Sequence, residues 1–152
     1  MSVGEGKTAE AVIAKAMMFP ERIVSATVYW NGKSITFGSG IGIDTQPYDD
    51  CVIYVGVGTF QGAVASLLNS VYESATDDPT TATLVTGASF TTIDEDTDDT
   101  GEVGAIKCKD QMRYLFLRTE AQGTPLTVDF GALIALGRAD SQAVSQTLVF
   151  DV

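Results

Sequence analysis

From Arg22 onward the sequence consists of short runs of β-branched, apolar and aromatic residues separated by Gly, Asp, Pro and Thr. The first run, Arg22–Trp30, alternates between two sets of side chains, which is typical of a strand. Asn31-Gly32 follows it and precedes the run Lys33–Phe37. An Asn-Gly pair between two such runs predicts a tight hairpin, because both turn residues can adopt positive φ.

Further β-type runs continue to the C-terminal end of the sequence. Cys51–Val57 is apolar throughout, as expected of a strand that is covered on both faces or nearly so. Ala63–Ser74 fits both a helical and a two-residue period, and we favour the strand. The other predicted strands are Ser39–Asp44, Ala82–Thr86, Ser89–Ile93, Val103–Lys107, Met112–Thr119, Leu126–Leu136 and Thr147–Val152. Because no helical segments alternate with them, the sequence predicts an all-β protein, an antiparallel β-sandwich or jelly roll.

The N-terminal residues follow a different pattern. Ala9–Phe19 contains helix-forming residues with apolar side chains at helical spacing, and Pro20 ends that pattern. Such a short segment is marginal as an isolated helix. It predicts either a short packing helix or an extended arm that becomes ordered on a partner. We expect an N-terminal arm over residues 1–20 and a single β-sandwich domain over residues 21–152, since the length fits one core.

Charge and composition limit the classes of function. The chain has 20 acidic and 9 basic residues, a formal net charge of −11, and no histidine. This charge repels phosphate backbones and anionic lipids, so we expect no nucleic-acid partner and no membrane partner. Without histidine, Ser-His-Asp and Cys-His catalysis and His-based zinc sites are excluded. We expect no enzyme activity and no cofactor.

The compartment is also suggested by the sequence. Met1–Glu10 is polar and the apolar stretch Ala11–Phe19 is short and interrupted by Lys15, unlike a secretory signal peptide. No apolar run is long enough to span a bilayer. We therefore expect synthesis in a reducing cytosol, with Cys51 and Cys108 as free thiols, although a bridge between them is geometrically possible.

Two local patterns resemble ligand-binding motifs but lack the context that those motifs need. Gly4-Glu5-Gly6-Lys7-Thr8 has the end of a phosphate-binding loop, yet Met1 stands where the first glycine belongs. The acidic segment Asp94–Glu102 offers oxygen ligands for calcium, but Asp99 and Ala105 occupy the glycine and glutamate positions of the helix–loop–helix calcium loop. We expect a flexible N-terminus, a solvated acidic loop and no metal site, the alternative being a non-standard cation site in the acidic segment.

Other residues have two interpretations each. Asp129 lies in an apolar run, and we expect a buried, hydrogen-bonded structural acid rather than half of a glycosidase pair. Tyr29 and Trp30 are expected to pack in the core or at an edge, the alternative being a sugar-stacking platform. Four of the basic residues cluster in one short stretch: Lys107, Lys109, Arg113 and Arg118. They form either a cationic patch for an acidic partner surface or charge balance within the chain.

A succession of motifs in residues 43–137 resembles a group of small β-sandwich virion proteins of tailed bacteriophages. A strand ending in Glu73-Ser74 is followed by the acidic Asp77-Asp78, then by a Val-x-Gly-Ala-x-Phe strand beginning at Val85. A later strand carries Arg113-Tyr114-Leu115. The resemblance implies a virion structural protein, a head decoration (cement) protein on the capsid exterior, and it implies no catalytic residues.

This resemblance sets the functional expectations. The partner would be the major capsid protein, and the chain itself would form a dimer or trimer after synthesis in the host cytoplasm. The N-terminal arm with Phe19 and the four clustered basic residues would contact the capsid. A tail or neck component, or a receptor- or carbohydrate-binding module, would use the same sandwich and is the alternative.

Overall fold

The computed structural model describes residues 12–23, 28–34, 40–46, 48–61, 65–123, 127–137 and 149–152. These residues form twelve strands arranged in two sheets that pack face to face, so the predicted all-β sandwich is confirmed. The strands are β1 (Val12–Ile23), β2 (Val28–Trp30), β3 (Lys33–Ser34), β4 (Ile43–Asp44), β5 (Asp50–Val57), β6 (Ser66–Ser74), β7 (Thr83–Ser89), β8 (Ile93–Asp94), β9 (Thr100–Lys107), β10 (Tyr114–Gln122), β11 (Val128–Gly137) and β12 (Phe150–Asp151).

The chain passes repeatedly between the two sheets. The first sheet has the strand order β1-β11-β5-β9-β12. The second follows the path β3-β2-β10-β6-β7, with β4 added beside β10 and β8 beside β6. All pairs of strands are antiparallel except β9 and β12. β5, β9 and β11 lie in the first sheet, whereas β6 and β10, which come between them in the sequence, lie in the second. Each sheet therefore combines strands from distant parts of the chain.

Alternate residues of the central strands fill the space between the sheets. Every second residue of β5 and β11 is buried, as the two-residue period of a strand requires. Opposite them lie Leu67 and Val71 of β6 and Leu115 and Leu117 of β10, all fully or almost fully buried. The strand predicted within Ala63–Ser74 is confirmed as β6, and its helical alternative is wrong.

The hairpin predicted at Asn31-Gly32 is confirmed. Trp30 pairs with Lys33, and the two turn residues have φ of 47° and 75°. Both values lie in the left-handed region, which glycine adopts without strain and asparagine tolerates better than most residues. The turn therefore has the primed geometry that matches the twist of its two strands.

The helix considered for Ala9–Phe19 is wrong over the described residues. β1 is an extended edge strand that pairs antiparallel with β11, from Val12 opposite Gly137 to Ile23 opposite Val128. The register shifts between Met18 and Glu21, and Pro20, which has no N–H to donate, lies in that irregular stretch. Pairing along β11 outweighs the weak helix preference of so short a segment. Residues 1–11 lie outside the described residues.

Candidate functional site

The outer face of the first sheet carries apolar residues on three adjacent strands. Tyr54 of β5 and Leu133 of β11 stand directly opposite each other and are 43% and 49% exposed. The outward positions around this pair are also apolar or glycine. We refer to the whole set, in which Val103 is itself buried, as the apolar face: Val52, Tyr54, Gly56, Gly101, Val103, Ala105, Gly131, Leu133 and Ala135.

The Tyr54 ring lies along the sheet, over two glycines that are register partners. A Cβ atom added to Gly101 would stand 2.5 Å from the Tyr54 Oη, and one added to Gly56 would stand 3.3 Å from Tyr54 Cε1. Gly56 pairs with Gly101 across β5 and β9, so the two positions together leave room for the ring. The ring therefore lies flat on the sheet at this point, and another protein surface would meet the exposed ring.

Residues of opposite charge border the apolar face at each end of the strands. At one end, Arg22 of β1 donates two hydrogen bonds to the Asp129 carboxylate, at 3.0 and 3.3 Å. At the other end, Asp50 stands opposite Lys107 in the β5–β9 register. An acid and a base thus stand together at each end of β5 and β11, in a chain whose net charge is −11.

The expectation that Asp129 is buried is wrong. Its side chain is 63% exposed, because it occupies an outward position of β11 between the buried Val128 and Phe130. The hydrogen bond from Arg22 lowers the pKa of the Asp129 carboxyl, and the positive charge of the guanidinium adds to that effect. An exposed acid in an ion pair is not the raised-pKa acid that glycoside hydrolysis needs.

The four clustered basic residues lie at different places. Arg113 forms a two-pronged contact with Asp44, at 3.1 and 2.8 Å. The Arg118 guanidinium bonds to Glu120 at 2.9 Å and stacks near the Trp30 and Tyr72 rings. Both arginines are thus engaged within the chain, on the second sheet.

Lys107 and Lys109 lie at the end of the first sheet. Lys107 is the last residue of β9, and Lys109 belongs to the short 3-10 turn that follows. Both are exposed, and neither forms a salt bridge with any residue that the structure describes. Phe19 lies in the irregular part of β1, where the register with β11 shifts. The predicted docking residues are therefore distributed over both sheets, with Phe19, Lys107 and Lys109 at the first and the two arginines at the second.

Trp30 packs against the protein, as expected. It is 5% exposed and makes edge-to-face contacts with Tyr72 and Phe116, at centroid distances of 5.1 and 6.3 Å. A sugar-stacking platform needs an exposed ring, and Trp30 does not provide one.

The acidic segment is attached to the loop that follows β5. Asp98 accepts a hydrogen bond from the Phe60 N–H at 2.7 Å, and both Asp99 oxygens lie 2.9 Å from the Thr59 hydroxyl. β9 begins at Thr100, so the loop is shorter than the predicted Asp94–Glu102. Among the residues that the structure describes, no three acids or cysteines are grouped as metal ligands would be. The phosphate-loop-like residues 4–8 lie outside the described part of the chain.

Sequence reasoning did not identify the apolar face. The apolar sequence of Cys51–Val57 predicts a strand that is covered on both faces or nearly so, yet Tyr54 on its outer side is exposed. The available signal was Tyr54 flanked by apolar residues and followed by Gly56, in a strand whose other alternate residues are aliphatic. An exposed apolar patch is typical of a protein-binding surface.

Comparison of the sequence with models of known protein families and with curated proteins gave no match. The described residues contain no helix with the length and apolar character needed to cross a bilayer.

Proposed function

We propose that this chain is a non-enzymatic structural protein of a tailed-bacteriophage virion, and that it decorates the capsid by docking its apolar face on the major capsid protein. The observation that carries the proposal is the flat, exposed pair Tyr54 and Leu133 on a rigid sheet. An exposed aromatic residue beside an aliphatic one is the type of anchor that stabilises protein interfaces.

The charge distribution supports a protein partner with an apolar, uncharged docking surface. A net charge of −11 opposes contact with nucleic acid and with other acidic surfaces. The apolar face reduces this repulsion at both ends, because Asp129 stands beside Arg22 and Asp50 beside Lys107. The partner surface must then be apolar at its centre and accept both signs of charge at its rim.

The strands that carry the apolar face belong to the part of the chain that resembles the phage sandwich proteins. β5, β9 and β11 all fall within residues 43–137. A decoration protein stabilises a shell because it binds the assembled form more tightly than loose subunits, and each bound copy lowers the free energy of the closed shell. A dimer or trimer of the chain would add avidity on a symmetric capsid.

The direct test is a charge substitution on the apolar face with a matched control. Leu133→Lys places a charge at the centre of the face, whereas Leu84→Lys places one on β7 of the second sheet, at a leucine that is 46% exposed. We expect Leu133→Lys to reduce binding to undecorated heads at least tenfold, because the charge must be desolvated on docking. Leu84→Lys should bind like the unmodified protein in the same sedimentation assay.

Immunogold electron microscopy of intact virions of the phage that encodes this chain shows where on the particle the chain is located. Regular labelling over the head is expected. Labelling confined to the tail or neck would contradict capsid decoration and favour a tail or neck component. Equal binding of Leu133→Lys and the unmodified protein to heads would show that the apolar face is not the docking surface.

A further inference from the structure

The two cysteines, distant in sequence, are neighbours in the folded chain. Cys51 is the second residue of β5 and stands opposite Ile106 of β9. Cys108 follows Ile106 by two positions and begins the 3-10 turn Cys108–Asp110. Residues related in this way are diagonal neighbours on the same face of an antiparallel pair. Both side chains belong to the same core cluster, 2% and 4% exposed, and Cys108 has the largest influence on the pKa of the Cys51 thiol.

The backbone holds the pair in place on both sides of Cys108. Before it, Lys107 pairs with Asp50 in the strand register. After it, the Lys109 N–H donates to the Asp49 carbonyl oxygen at 3.4 Å. The position of Cys108 relative to β5 is therefore set by the sheet and does not depend on a mobile side chain.

We propose that Cys51 and Cys108 are a disulfide-forming pair, which an oxidant such as a peroxide or oxidised glutathione converts into a bond between β5 and the end of β9. A disulfide needs two cysteines on adjacent backbone segments with their side chains on the same side, which the register and the shared core cluster provide for Cys51 and Cys108. The inference does not depend on the proposed function, since it concerns only the interior of the sandwich.

The chemistry balances with either oxidant. With hydrogen peroxide, one sulfur attacks an oxygen, the O–O bond breaks, and water and a sulfenic acid form. The second sulfur then attacks the sulfenic sulfur, and its thiol proton leaves with the hydroxyl group as a second water. Two thiols lose two electrons and two protons, and one peroxide becomes two waters. With oxidised glutathione, two exchange steps release two molecules of reduced glutathione.

The environment of the pair keeps the reduced form unreactive in the native state. The hydrogen bond to Cys108, followed by burial, raises the pKa of the Cys51 thiol well above its ordinary value. Because the thiolate is the reactive form, oxidation is slow in the closed fold and faster during folding or transient opening. A protein made in a reducing cytosol would therefore keep both thiols until it meets an oxidant outside the cell.

The position of the bond in the topology predicts a large effect on stability. β5 and β9 belong to the first sheet, while β6, β7 and β8 between them belong to the second. The bond would close a loop that contains this whole excursion, and long closed loops restrict the unfolded chain most. We expect the melting temperature to rise by roughly 10 °C on oxidation.

The test compares the reduced protein with protein refolded in a glutathione buffer dominated by the oxidised form. We expect no titratable thiols after denaturation, an intact mass lower by two hydrogen atoms, a monomer on a non-reducing gel, and a melting temperature that falls back on reduction. Cys51→Ala and Cys108→Ala are the matched controls, and neither should show an oxidation-dependent rise in melting temperature.

Three results would overturn the inference. Two titratable thiols after refolding would show that the fold does not favour the bond. Disulfides found only between chains would show that the cysteines do not pair internally. An internal disulfide that lowers the melting temperature would show that the native sheet does not accommodate it.

Discussion

The outer faces of the two sheets both carry aromatic side chains but differ in what covers them. On the second sheet, Phe116 projects outward from β10 and is nevertheless fully buried. Trp30 packs against its ring, and Gly42 lies so close that an added Cβ would stand 2.8 Å from Phe116 Cζ. On the first sheet, Tyr54 and Leu133 project outward in the same manner and remain exposed.

The cover of the second sheet is a segment of the chain itself. Residues 40–42 lie against Phe116 of β10 and are bonded to the loop after β6, where the Gly40 N–H donates to the Asp77 carbonyl oxygen and the Gly42 N–H to its carboxylate. We refer to residues 40–42 as the strap. No described residue forms a comparable cover over Tyr54 and Leu133. An outward aromatic residue therefore contributes to stability where the chain covers it, and is available to a partner where the chain does not.

The largest expected effect is the loss of Phe116. Phe116→Ala removes a fully buried ring and leaves a cavity beneath the strap, so we expect the free energy of unfolding to fall by about 3–5 kcal/mol. Urea unfolding followed by tryptophan fluorescence measures the change, since Trp30 contacts the ring. The matched substitution on the other sheet, Leu133→Ala, should cost no more than about 1 kcal/mol. Equal losses in the two variants would mean that the outer face of the first sheet is also covered.

A smaller effect is expected from Asn31, which joins the hairpin to the strap. Its Oδ1 accepts the Leu117 N–H at 2.7 Å, and its Nδ2 donates to the Ile41 carbonyl oxygen at 2.5 Å. Asn31→Gly retains the positive φ of the turn but leaves the buried Leu117 N–H without this acceptor, at a cost of about 1–3 kcal/mol. The substitution should also speed amide hydrogen exchange at Gly42.

The control for that experiment is Lys33→Ala in the same hairpin. Lys33 is exposed, so its removal should change the free energy of unfolding by less than about 0.5 kcal/mol. If Asn31→Gly has as little effect as Lys33→Ala, then Asn31 serves only as a turn residue and the strap is held by other contacts.

Local patterns in the sequence predict those parts of the fold that depend on local physics. The Asn31-Gly32 hairpin was predictable because positive φ is a property of the two residues themselves. β5 and β6 were predictable from β-branched and alternating side chains. The succession of strands without intervening helices was enough to predict the sandwich class.

The features that sequence reasoning missed depend on contacts between distant segments. The segment Ala9–Phe19 has a helical pattern, and only its pairing with β11 makes residues 12–19 a strand. The outward direction of Asp129 follows from which face of β11 meets the second sheet. The exposure of Tyr54 and the placement of Cys51 and Cys108 in one core cluster likewise depend on the sheet order. Hydrophobicity alone does not tell whether an apolar strand is covered on one side or two.

The smallest expected effect concerns the ion pair at the border of the apolar face. Arg22 lowers the pKa of Asp129 in the folded protein, so the pair stabilises the fold above the ordinary carboxyl pKa. That contribution is lost as the pH falls through the lowered, folded-state pKa. Both side chains are exposed, so the change in stability is small and decreases further with salt.

Arg22→Ala should raise the pKa of Asp129 toward its ordinary value, which NMR titration of the Asp129 carboxyl measures directly. Lys107→Ala, at the opposite border of the apolar face, should leave the Asp129 titration unchanged. If Asp129 titrates identically in the unmodified protein and in Arg22→Ala, the ion pair does not persist in solution. The apolar face would then carry an unpaired negative charge at this border. A partner that binds this face would need a positive charge there, a requirement that the covered face of the second sheet does not impose.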